Sequence, residues 1–370
     1  MNELLFWFSV SFVGLVDIIS LLNLVFPQKL KKVKCEEGPL VSIIIPMRNE
    51  TKNVNGILDD IRKQDYRNIE VVTVDDDSDD KTLEMLEIYK ERKKTDWLKI
   101  VHLDSLDKNW VGKSHAIYKG LLHAKGQLLF FVDADIRLEE SAIGSVVDRM
   151  REGGLDVMNC FPKQMLRRKS ERLITPLMSW ISASFMPYAF YNKSGRKAIT
   201  FANGQFIACT REMYLKSGGH EKIKGRIDED VSIINIFKKS GAKVEVLICD
   251  GIIKCFMYDG YLDARKGFSR SIIPSLPNRS FIIVFMLLAI IFIFPFVLVF
   301  FDVKWFIVIL EIWFNRAIAS IGIKENVIVN ILLHPLQFIV LLEILIYSIW
   351  RLWTGNVVWK GRTIKRIDNF

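Results

Sequence analysis

The stretch QLLFFVDADI, residues 127–136, is an apolar strand that runs directly into two aspartates, Asp133 and Asp135. Two other acidic stretches share the chain: VDDDSDD (74–80), which also follows an apolar run, and IDEDVSI (227–233). The carboxyl ends of parallel strands meet at one edge of an open α/β sheet, where ligands bind. Carboxylates gathered there favour a hard cation, and such a cation binds phosphate oxygens. These stretches therefore predict a site for a metal-bound phosphate.

Short apolar strands alternate with polar-faced helices through the first half of the chain. The predicted strands are LVSIIIP (40–46), IEVVTV (69–74), LKIVHL (98–103), QLLFFV (127–132) and LDVMNCF (155–161), and the helices between the first four cover 51–64, 79–94 and 113–125. This alternation indicates an α/β fold with a mainly parallel sheet and right-handed crossovers.

The bulk composition narrows the class of protein. Half of the 370 residues are hydrophobic, and the apolar excess is concentrated at the two ends. The net charge of +9 favours a membrane surface over nucleic acid as the partner, since no base-reading helix or aromatic platform is evident. The five cysteines show no C-x-x-C spacing, which argues against a zinc site or disulfide framework and predicts reduced thiols.

The N-terminal residues 4–26 are apolar apart from Asp17 and match the roughly 20 residues that a membrane-spanning helix needs. This segment lacks the basic start and the small-residue cleavage site of a signal peptide, so we expect an uncleaved anchor. The basic run KLKKVK (29–34) follows and is expected on the cytoplasmic side. It is either a solvated linker or a contact to anionic lipid headgroups.

Three further apolar blocks lie at 281–301, 303–323 and 327–353. The first is free of charges and long enough to span, whereas Glu311 and Arg316 make the second the weakest candidate. The basic tail at 359–366 is expected in the cytoplasm, which requires two C-terminal spans rather than three. We therefore expect a multi-pass protein whose middle block lies in the membrane interface.

Residues 173–190 are apolar but interrupted by Pro176 and Pro187, which disfavours a spanning helix there. Two interpretations stay open for this stretch. It is either an interfacial segment under the basic run 163–172 or a buried helical hairpin of the central region.

An ordered set of motifs carries a family resemblance: VSIIIPMRNE (41–50), VDDDSDD, NWVGKSHA (109–116), FFVDADI (130–136) and DEDV (228–231). Together they resemble the signatures of family 2 glycosyltransferases over roughly residues 38–270. The resemblance implies a GT-A fold, a Rossmann-like α/β nucleotide-diphospho-sugar transferase fold, here with N- and C-terminal transmembrane helices. The expected divisions are an anchor (1–28), a basic linker (29–38), a GT-A catalytic domain (39–260), an interfacial segment (261–280), two or three membrane helices (281–355) and a basic tail (356–370).

The donor-binding residues follow from this resemblance. Pro46 and Glu50 are expected to border the base and ribose, and Asp75 or Asp76 to accept hydrogen bonds from the base. Lys113 precedes a predicted helix, so the ammonium and the helix N-terminus together suit a diphosphate or the uracil edge. A solvated surface lysine is the alternative.

Two pairs of carboxylates are the expected chemical groups. Asp133 and Asp135 resemble the D-x-D pair that holds Mn²⁺ or Mg²⁺ between two phosphates, with Asp135 the direct ligand and Asp133 near the ribose or metal. Asp230 is expected to remove a proton from the acceptor hydroxyl in an inverting transfer, and Glu229 is the next candidate. The alternative for this acidic turn is a helix N-terminus whose charges complement the dipole.

Downstream, RKGFSRS (265–271) keeps one residue of the Q-x-x-R-W motif of processive synthases. That residue, Arg270, is expected to pair with the diphosphate. The missing Gln and Trp predict the transfer of a single sugar rather than polymer synthesis.

The acceptor is expected at the bilayer because membrane segments flank the motifs. The chain is similar to bacterial transferases that esterify a carotenoid carboxylic acid with glucose from UDP-glucose. Asn203 and Gln205 in NGQF (203–206) are the expected contacts to sugar or acceptor, and an elongated apolar acceptor would suit Trp180 in the stretch 173–190. Ceramide, diacylglycerol, a hopanoid or a polyprenyl phosphate are the alternative acceptors.

Asp77 stands where the family usually has glycine in the acidic loop. Aspartate tolerates a positive φ better than most residues, so the turn is expected to survive. The added negative charge near a diphosphate must either point away or help to hold the cation. This departure supports an alternative of another class, a catalytically silent nucleotide-binding membrane scaffold.

Overall fold

Strands and helices alternate through the middle of the chain in the computed structural model, which describes residues 2–194, 200, 202–271, 286–287, 290–354, 358–359 and 362–363. The strands are β1 (Val41–Met47), β2 (Ile69–Asp76), β3 (Leu98–Leu103), β4 (Leu128–Val132), β5 (Ile136–Leu138), β6 (Val157–Phe161), β7 (Lys163–Gln164), β8 (Phe206–Thr210), β9 (Val244–Ile248), β10 (Ile253–Cys255), β11 (Val358–Trp359) and β12 (Arg362–Thr363). The helices are α1 (Asn2–Val25), α2 (Val54–Arg62), α3 (Thr82–Lys93), α4 (Gly112–Leu121), α5 (Ala142–Gly153), α6 (Thr175–Phe185), α7 (Tyr188–Ser194), α8 (Arg211–Ser217), α9 (Glu229–Lys239), α10 (Tyr261–Ser271), α11 (Pro295–Leu298), α12 (Trp305–Gly322), α13 (Val327–Leu332) and α14 (His334–Thr354). Short 3-10 turns cover Lys169–Leu173 and Gly219–Ile223.

The main sheet of the described residues has seven strands in the order β3-β2-β1-β4-β8-β6-β9. Strand β8 runs antiparallel to β4 and β6, and the other pairs are parallel. Strand β4 is buried along its whole length because helices cover both faces of the sheet. A smaller sheet, β5-β10-β7, lies beside it. The prediction of an α/β fold with a mainly parallel sheet is confirmed.

The predicted elements agree with the structure except at helix ends. Helix α2 begins at Val54 rather than at residue 51, because the turn before it is bound to the acidic loop. There the backbone N–H of Asn49 donates to Ser78 Oγ at 3.0 Å, and that of Glu50 donates to Thr82 Oγ1 at 2.8 Å. The five cysteines are buried and free, as predicted.

Gly120 lets helix α4 lie directly against the sheet. A Cβ at this position would lie 2.7 Å from Ile44 Cγ2 on β1 and 2.8 Å from Val74 Cγ2 on β2. Both distances are shorter than a van der Waals contact, so only glycine fits without a shift. The close packing fixes the N-terminus of α4, which carries Lys113, at the carboxyl edge of the sheet.

Two helices of the described residues are long and apolar enough to cross a membrane, Glu3–Val25 of α1 and the whole of α12. They lie side by side and point the same way. At one end Lys304 binds Glu3, and at the other end Lys29 and Lys324 both bind Asp250, at 3.3 and 2.9 Å. Both helices therefore end beside the main sheet.

Block 303–323, expected to be the weakest span, forms the continuous helix α12, which has the length and hydropathy of a spanning helix. Two of its polar residues, Asn315 and Arg316, are fully buried against neighbouring helices. Asn315 accepts from Trp180 Nε1 at 2.6 Å, and Arg316 donates to Gln337. The charge-free block 281–301, the interfacial segment 261–280 and the tail 356–370 lie partly outside the described residues.

The anchor helix is joined firmly to the rest of the chain. The Asn23 amide donates to the carbonyls of Ala183 and Met186 at 2.8 and 2.6 Å, and its oxygen accepts from the N–H of Tyr188 at 3.1 Å. These bonds link α1 to α6 and α7. Residues 173–190 thus form a packed pair of short helices, which favours the buried hairpin over the interfacial segment.

Gly120→Ala tests the packing of α4. The added methyl group overpacks the contact with β1 and β2, typically by 1–3 kcal/mol, and the higher helix propensity of alanine recovers up to about 1. We expect a net loss of about 1–2 kcal/mol, seen as a lower midpoint of thermal unfolding. The control Leu122→Ala, at a side chain that is 64% exposed, should leave the midpoint nearly unchanged. Equal midpoints for the two variants would contradict the packing argument.

Candidate active site

A cavity of about 910 Å³ opens at the carboxyl edge of the main sheet. It is formed by the loops after β1, β2 and β4, the loop before β8, the first turns of α4 and α9, and one face of α10. The residues predicted from the sequence that line it are Pro46, Glu50, Asp76, Lys113, Asp133, Asp135, Asn203, Gln205, Glu229, Asp230 and Arg270. The fold thus brings most of the predicted site residues together in one cavity.

Lys113, at the start of α4, is the cation at the centre of the carboxylates. Its Nζ lies 2.7 Å from Asp133 Oδ1 and 3.4 Å from Glu229 Oε1, and it donates to the Gly204 carbonyl at 3.0 Å. Burial alone would lower the pKa of Lys113, but the surrounding carboxylates outweigh it and raise the pKa above its ordinary value. Lys113 is therefore charged at neutral pH and is not a solvated surface lysine.

The loop before β8 approaches this cluster at Gly204. A Cβ there would lie 3.1 Å from Lys113 Nζ and 3.2 Å from Asp230 Cβ, tighter than ordinary contacts. On either side, Asn203 accepts from the N–H of Gln205 at 2.8 Å, and Gln205 Nε2 donates to Cys255 Sγ at 3.0 Å. These side chains are positioned by the protein itself, and their contact with sugar or acceptor stays a prediction.

Asp230, in the first turn of α9, has a pKa well above that of an ordinary aspartate. Burial and the neighbouring charge of Glu229 raise the pKa of Asp230 to about 7, although the N–H of Val231 and the Lys113 ammonium act in the opposite direction. A carboxyl group whose pKa is close to the ambient pH both accepts and releases a proton readily. This pKa is consistent with the predicted role of Asp230 as the general base, which stays a prediction.

Asp133 and Asp135 both line the cavity just beyond β4. Their backbone is held by two bonds: Asp133 N–H donates to the Gln205 carbonyl, and Phe256 N–H donates to the Asp135 carbonyl, both at 3.0 Å. Within the described residues no group of three or more His, Cys, Asp or Glu side chains could hold a metal. Two carboxylates do suit Mg²⁺ or Mn²⁺ when phosphate oxygens and water complete the shell. The residues present thus fit a metal ion shared with a diphosphate.

The two aspartates predicted to bind the base, Asp75 and Asp76, lie in different surroundings at the end of β2. Asp76 lines the cavity, whereas Asp75 is fully buried with its Oδ2 2.8 Å from His102 Nδ1 on β3. Successive side chains of a strand point to opposite faces, so adjacent aspartates at the end of β2 do not share one cavity. The expectation for Asp75 is corrected, and Asp76 is the candidate that remains.

Arg48 compensates the added negative charge of Asp77. This role of Arg48 was not identified from the sequence. Asp77 has φ of 54°, which confirms that aspartate takes the positive φ of the usual glycine. Its Oδ2 lies 3.4 Å from Arg48 Nη1, and the same guanidinium donates to the carbonyls of Asp76 and Asp77. The added charge is thus compensated by Arg48. The sequence signal for this role was Arg48 in PMRNE, because an acidic loop near the end of β1 requires a cation to compensate its charge.

Two ion pairs and a hydrogen bond at the outer edge of the cavity were also not predicted from the sequence. Asp259 accepts from Lys52 Nζ and Arg168 Nε, both at 2.8 Å, and Arg167 Nη2 donates to Asn53 Oδ1 at 2.7 Å. The partners are 91 to 207 residues apart along the chain, so no local pattern could reveal them.

Helix α10 turns one face to the cavity. The lining residues of this helix recur with helical spacing and are Asp263, Lys266, Gly267 and Arg270. A Cβ at Gly267 would lie 2.3 Å from Tyr258 Cε1, so glycine is needed for that ring to lie against the helix. The placement of Arg270 in the cavity is consistent with its predicted role at the diphosphate.

Trp180 lies away from the cavity, which corrects the expectation that it contacts the acceptor. Its ring is 2% exposed and packs edge-on against Phe292 and Phe338, with centroid distances of 5.1 and 5.5 Å. Trp180 is thus enclosed between helices and is not offered to a ligand, whereas Phe190 of the same stretch is 70% exposed.

Comparisons with known proteins agree with this geometry. Residues 42–217 match the model of the family described as glycosyl transferase family 2. The 4,4'-diaponeurosporenoate glycosyltransferase of Staphylococcus haemolyticus (strain JCSC1435) is 26% identical over 245 residues, and that of Staphylococcus aureus (strain USA300) is 25% identical over 235 residues. These matches cover 65% and 62% of this chain but only 63% and 60% of the two relatives, so the chain spans less than two thirds of their length.

A solved structure has the same fold. The mannosyltransferase PcManGT from Pyrobaculum calidifontis, in complex with GDP-Man and Mn²⁺, aligns with a TM-score of 0.55 at 17% identity. The alignment covers 95% of this chain and 100% of that protein. Together with the strand order, this likeness confirms the predicted GT-A fold.

Asp230→Asn should make the protein more stable at alkaline pH. The folded-state pKa of Asp230 is raised to about 7, so the unfolded chain releases this proton first and stability falls as the pH rises from about 4 to 7. Asparagine does not titrate, so the variant does not lose this stability as the pH rises. We expect a gain of about 1–3 kcal/mol at pH 8 that disappears near pH 4, measured by thermal unfolding.

The matched control for this prediction is Asp104→Asn, whose side chain is 94% exposed and which should show no such pH dependence. A stability gain for Asp230→Asn that is equal at pH 4 and pH 8 would rule out the titration of Asp230 as its cause.

Proposed function

We propose that this chain, whose residues 42–217 are a glycosyl transferase family 2 domain, moves one sugar from a nucleotide-diphospho-sugar onto a membrane acceptor with inversion. The observation that carries the proposal is the convergence of the D-x-D pair, Lys113 and Asp230 in one cavity. The family match and the names of the two relatives support the activity.

The donor lies with its diphosphate near Asp133 and Asp135, and UDP-glucose is the proposed donor. Lys113 and Arg270 are the cations that face the phosphates, and Pro46, Glu50 and Asp76 border the nucleoside. Asp135 and Asp133 would hold Mg²⁺ or Mn²⁺, which when bound neutralises charge on the departing nucleoside diphosphate. The Mn²⁺ and GDP-Man of PcManGT support this class of donor and metal.

The transfer itself is a single displacement. The acceptor oxygen attacks the anomeric carbon from the face opposite the diphosphate, and the bonding electrons of the departing C–O bond pass to the phosphate oxygen. Asp230 accepts the proton of an acceptor hydroxyl, with Glu229 as the neighbouring carboxylate that raises its pKa. Lys113 links Glu229 to Asp133 of the D-x-D pair.

The proposed acceptor is an elongated isoprenoid or lipid of the bilayer, with a carotenoid carboxylic acid as the first choice. The names of the relatives and the apolar helices α1 and α12 support it. Asn203 and Gln205 are the proposed acceptor-side residues. We further propose a multi-pass membrane location, with residues 39–260 as a catalytic domain on the cytoplasmic side beside the basic residues 29–34.

Asp135→Ala should abolish sugar transfer to every acceptor, and Asp230→Asn should abolish transfer to an acceptor that reacts through a hydroxyl group. The first removes a metal ligand and the second the base, and loss of a general base typically lowers turnover by 10²–10⁴-fold. The assay measures UDP release by protein in proteoliposomes with UDP-glucose, the carotenoid acid or another lipid acceptor, and Mg²⁺ or Mn²⁺. Asp104→Asn is the control with an exposed carboxylate. Metal-dependent UDP binding without turnover in the unaltered protein would instead favour the silent scaffold.

The acceptor class should decide how much Asp230→Asn matters. A carboxylic acid is already ionised at pH 7.5, since its pKa is about 4, so its attack needs no base. A hydroxyl acceptor does need one. We expect Asp230→Asn to lower turnover less than tenfold with the carotenoid acid, but by 10²–10⁴-fold with a hydroxyl lipid such as diacylglycerol.

The two acceptors are compared in one preparation, with Asp135→Ala as the reference that should lose both reactions. If Asp230→Asn removes both equally, its role is something other than proton removal.

A further inference from the structure

Helix α14 has an apolar face that points away from the rest of the described residues. Leu336, Ile339, Ile346 and Trp350 are 45%, 54%, 60% and 53% exposed. Their spacing places them on one side of the helix over nearly its whole length. Such an exposed stripe, interrupted by Glu343, indicates a partner surface rather than scattered apolar residues.

The neighbouring side of α14 lies lengthwise along α10. Val340 and Ile344 pack with Ala264 in one buried cluster. Further along, Ser348 Oγ donates to the Ser269 carbonyl. The contact continues through the whole of α10, so the two helices form a single layer beside the cavity.

The start of α14 is also tied to the catalytic region. Gln337 Nε2 donates to the carbonyl of Arg172, in the 3-10 turn Lys169–Leu173, at 2.7 Å. Because both ends of α14 contact elements of the catalytic region, the helix follows the surface of that region and does not lead away from it.

A charge in the middle of α14 distinguishes it from α12. Glu343 lies near the centre of the helix and accepts from Arg265 Nε of α10 at 2.6 Å, with Arg265 also 3.9 Å from the Tyr347 ring centroid. In a spanning helix this pair would sit at the bilayer centre, where each charge costs at least about 2.5 kcal/mol. It would also draw α10, which lines the polar cavity, into the hydrocarbon.

We propose that α14 lies in the plane of the membrane interface and buries its stripe of Leu336, Ile339, Ile346 and Trp350 among the lipid headgroups and upper acyl chains. Amphipathic helices of this kind bury their apolar face some 5–10 Å into this boundary. A tryptophan on the apolar face is typical of the interface. The inference rests on the membrane attachment proposed above.

An in-plane α14 also agrees with the expectation that basic segments of the chain lie on one side of the membrane. Helix α12 ends at Lys324 beside the sheet, on the same side as Lys29 after α1. An in-plane α14 keeps the basic tail on that side with two C-terminal spans. It also places lipid one helix away from the cavity face of α10, where a bilayer acceptor has to arrive.

Depth measurements test the proposal directly. Single variants Ile339→Cys, Ile346→Cys and Trp350→Cys are labelled with an environment-sensitive fluorophore in proteoliposomes, and quenching by lipids with shallow or deep nitroxides is compared. We expect shallow nitroxides to quench each label more strongly than deep nitroxides do, with the same shallow-to-deep ratio at all three positions. In a spanning helix, His334–Thr354 would be centred near residue 344. All three positions would then lie within about 9 Å of the bilayer centre at 1.5 Å per residue, and a shallow-to-deep ratio below one would overturn the proposal.

Helix α12 supplies the control, because Ile307, Phe314 and Ile321 are 51%, 51% and 55% exposed along its length. Labels there should be shallow, deep and shallow, and unaltered protein should label little because its cysteines are buried. A depth gradient along α14, or no quenching there while α12 is quenched, overturns the proposal alone. No quenching on either helix overturns the membrane attachment as well.

Discussion

The Lys113 ammonium is the interaction on which the candidate site depends. The fold brings Asp133, Glu229 and Asp230 to one edge of the sheet, and like charges at such distances repel strongly where water is scarce. One buried cation, 2.7 Å from the first and 3.4 Å from the second, makes that gathering stable. Burial and the neighbouring charge of Glu229 nevertheless raise the pKa of Asp230, the third carboxyl of the cluster, to about 7.

The position of Lys113 is set by packing rather than by charge. Gly120 brings α4 against β1 and β2, and Gly204 lets the loop before β8 come up to the ammonium. Two residues without side chains thus define how closely the α4 helix, the sheet and the acceptor-side loop meet. The charge network and the backbone contacts support one another, as expected where a polar site is held on rigid elements.

A similar compensation operates at the acidic loop and in helix α12. Arg48 pairs with Asp77 of the acidic loop, so this side of the cavity gains no uncompensated charge. In α12, Arg316 is turned inward onto Gln337, while the apolar side chains of the helix face outward. Polar groups in both regions are retained because partners from distant parts of the chain meet them.

The sequence by itself determined the α/β fold, the positions along the chain of β1 to β4 and β6, and the aspartates that follow β2 and β4, because apolar periodicity and strand-end carboxylates are local patterns. It also placed Asp135, Lys113 and Asp230 at the same edge through their family motifs. It could not separate Asp75 from Asp76, find Arg48, or tell that Trp180 is enclosed by helices. These depend on which face a side chain takes and on which distant segment lies opposite, and only tertiary packing decides both.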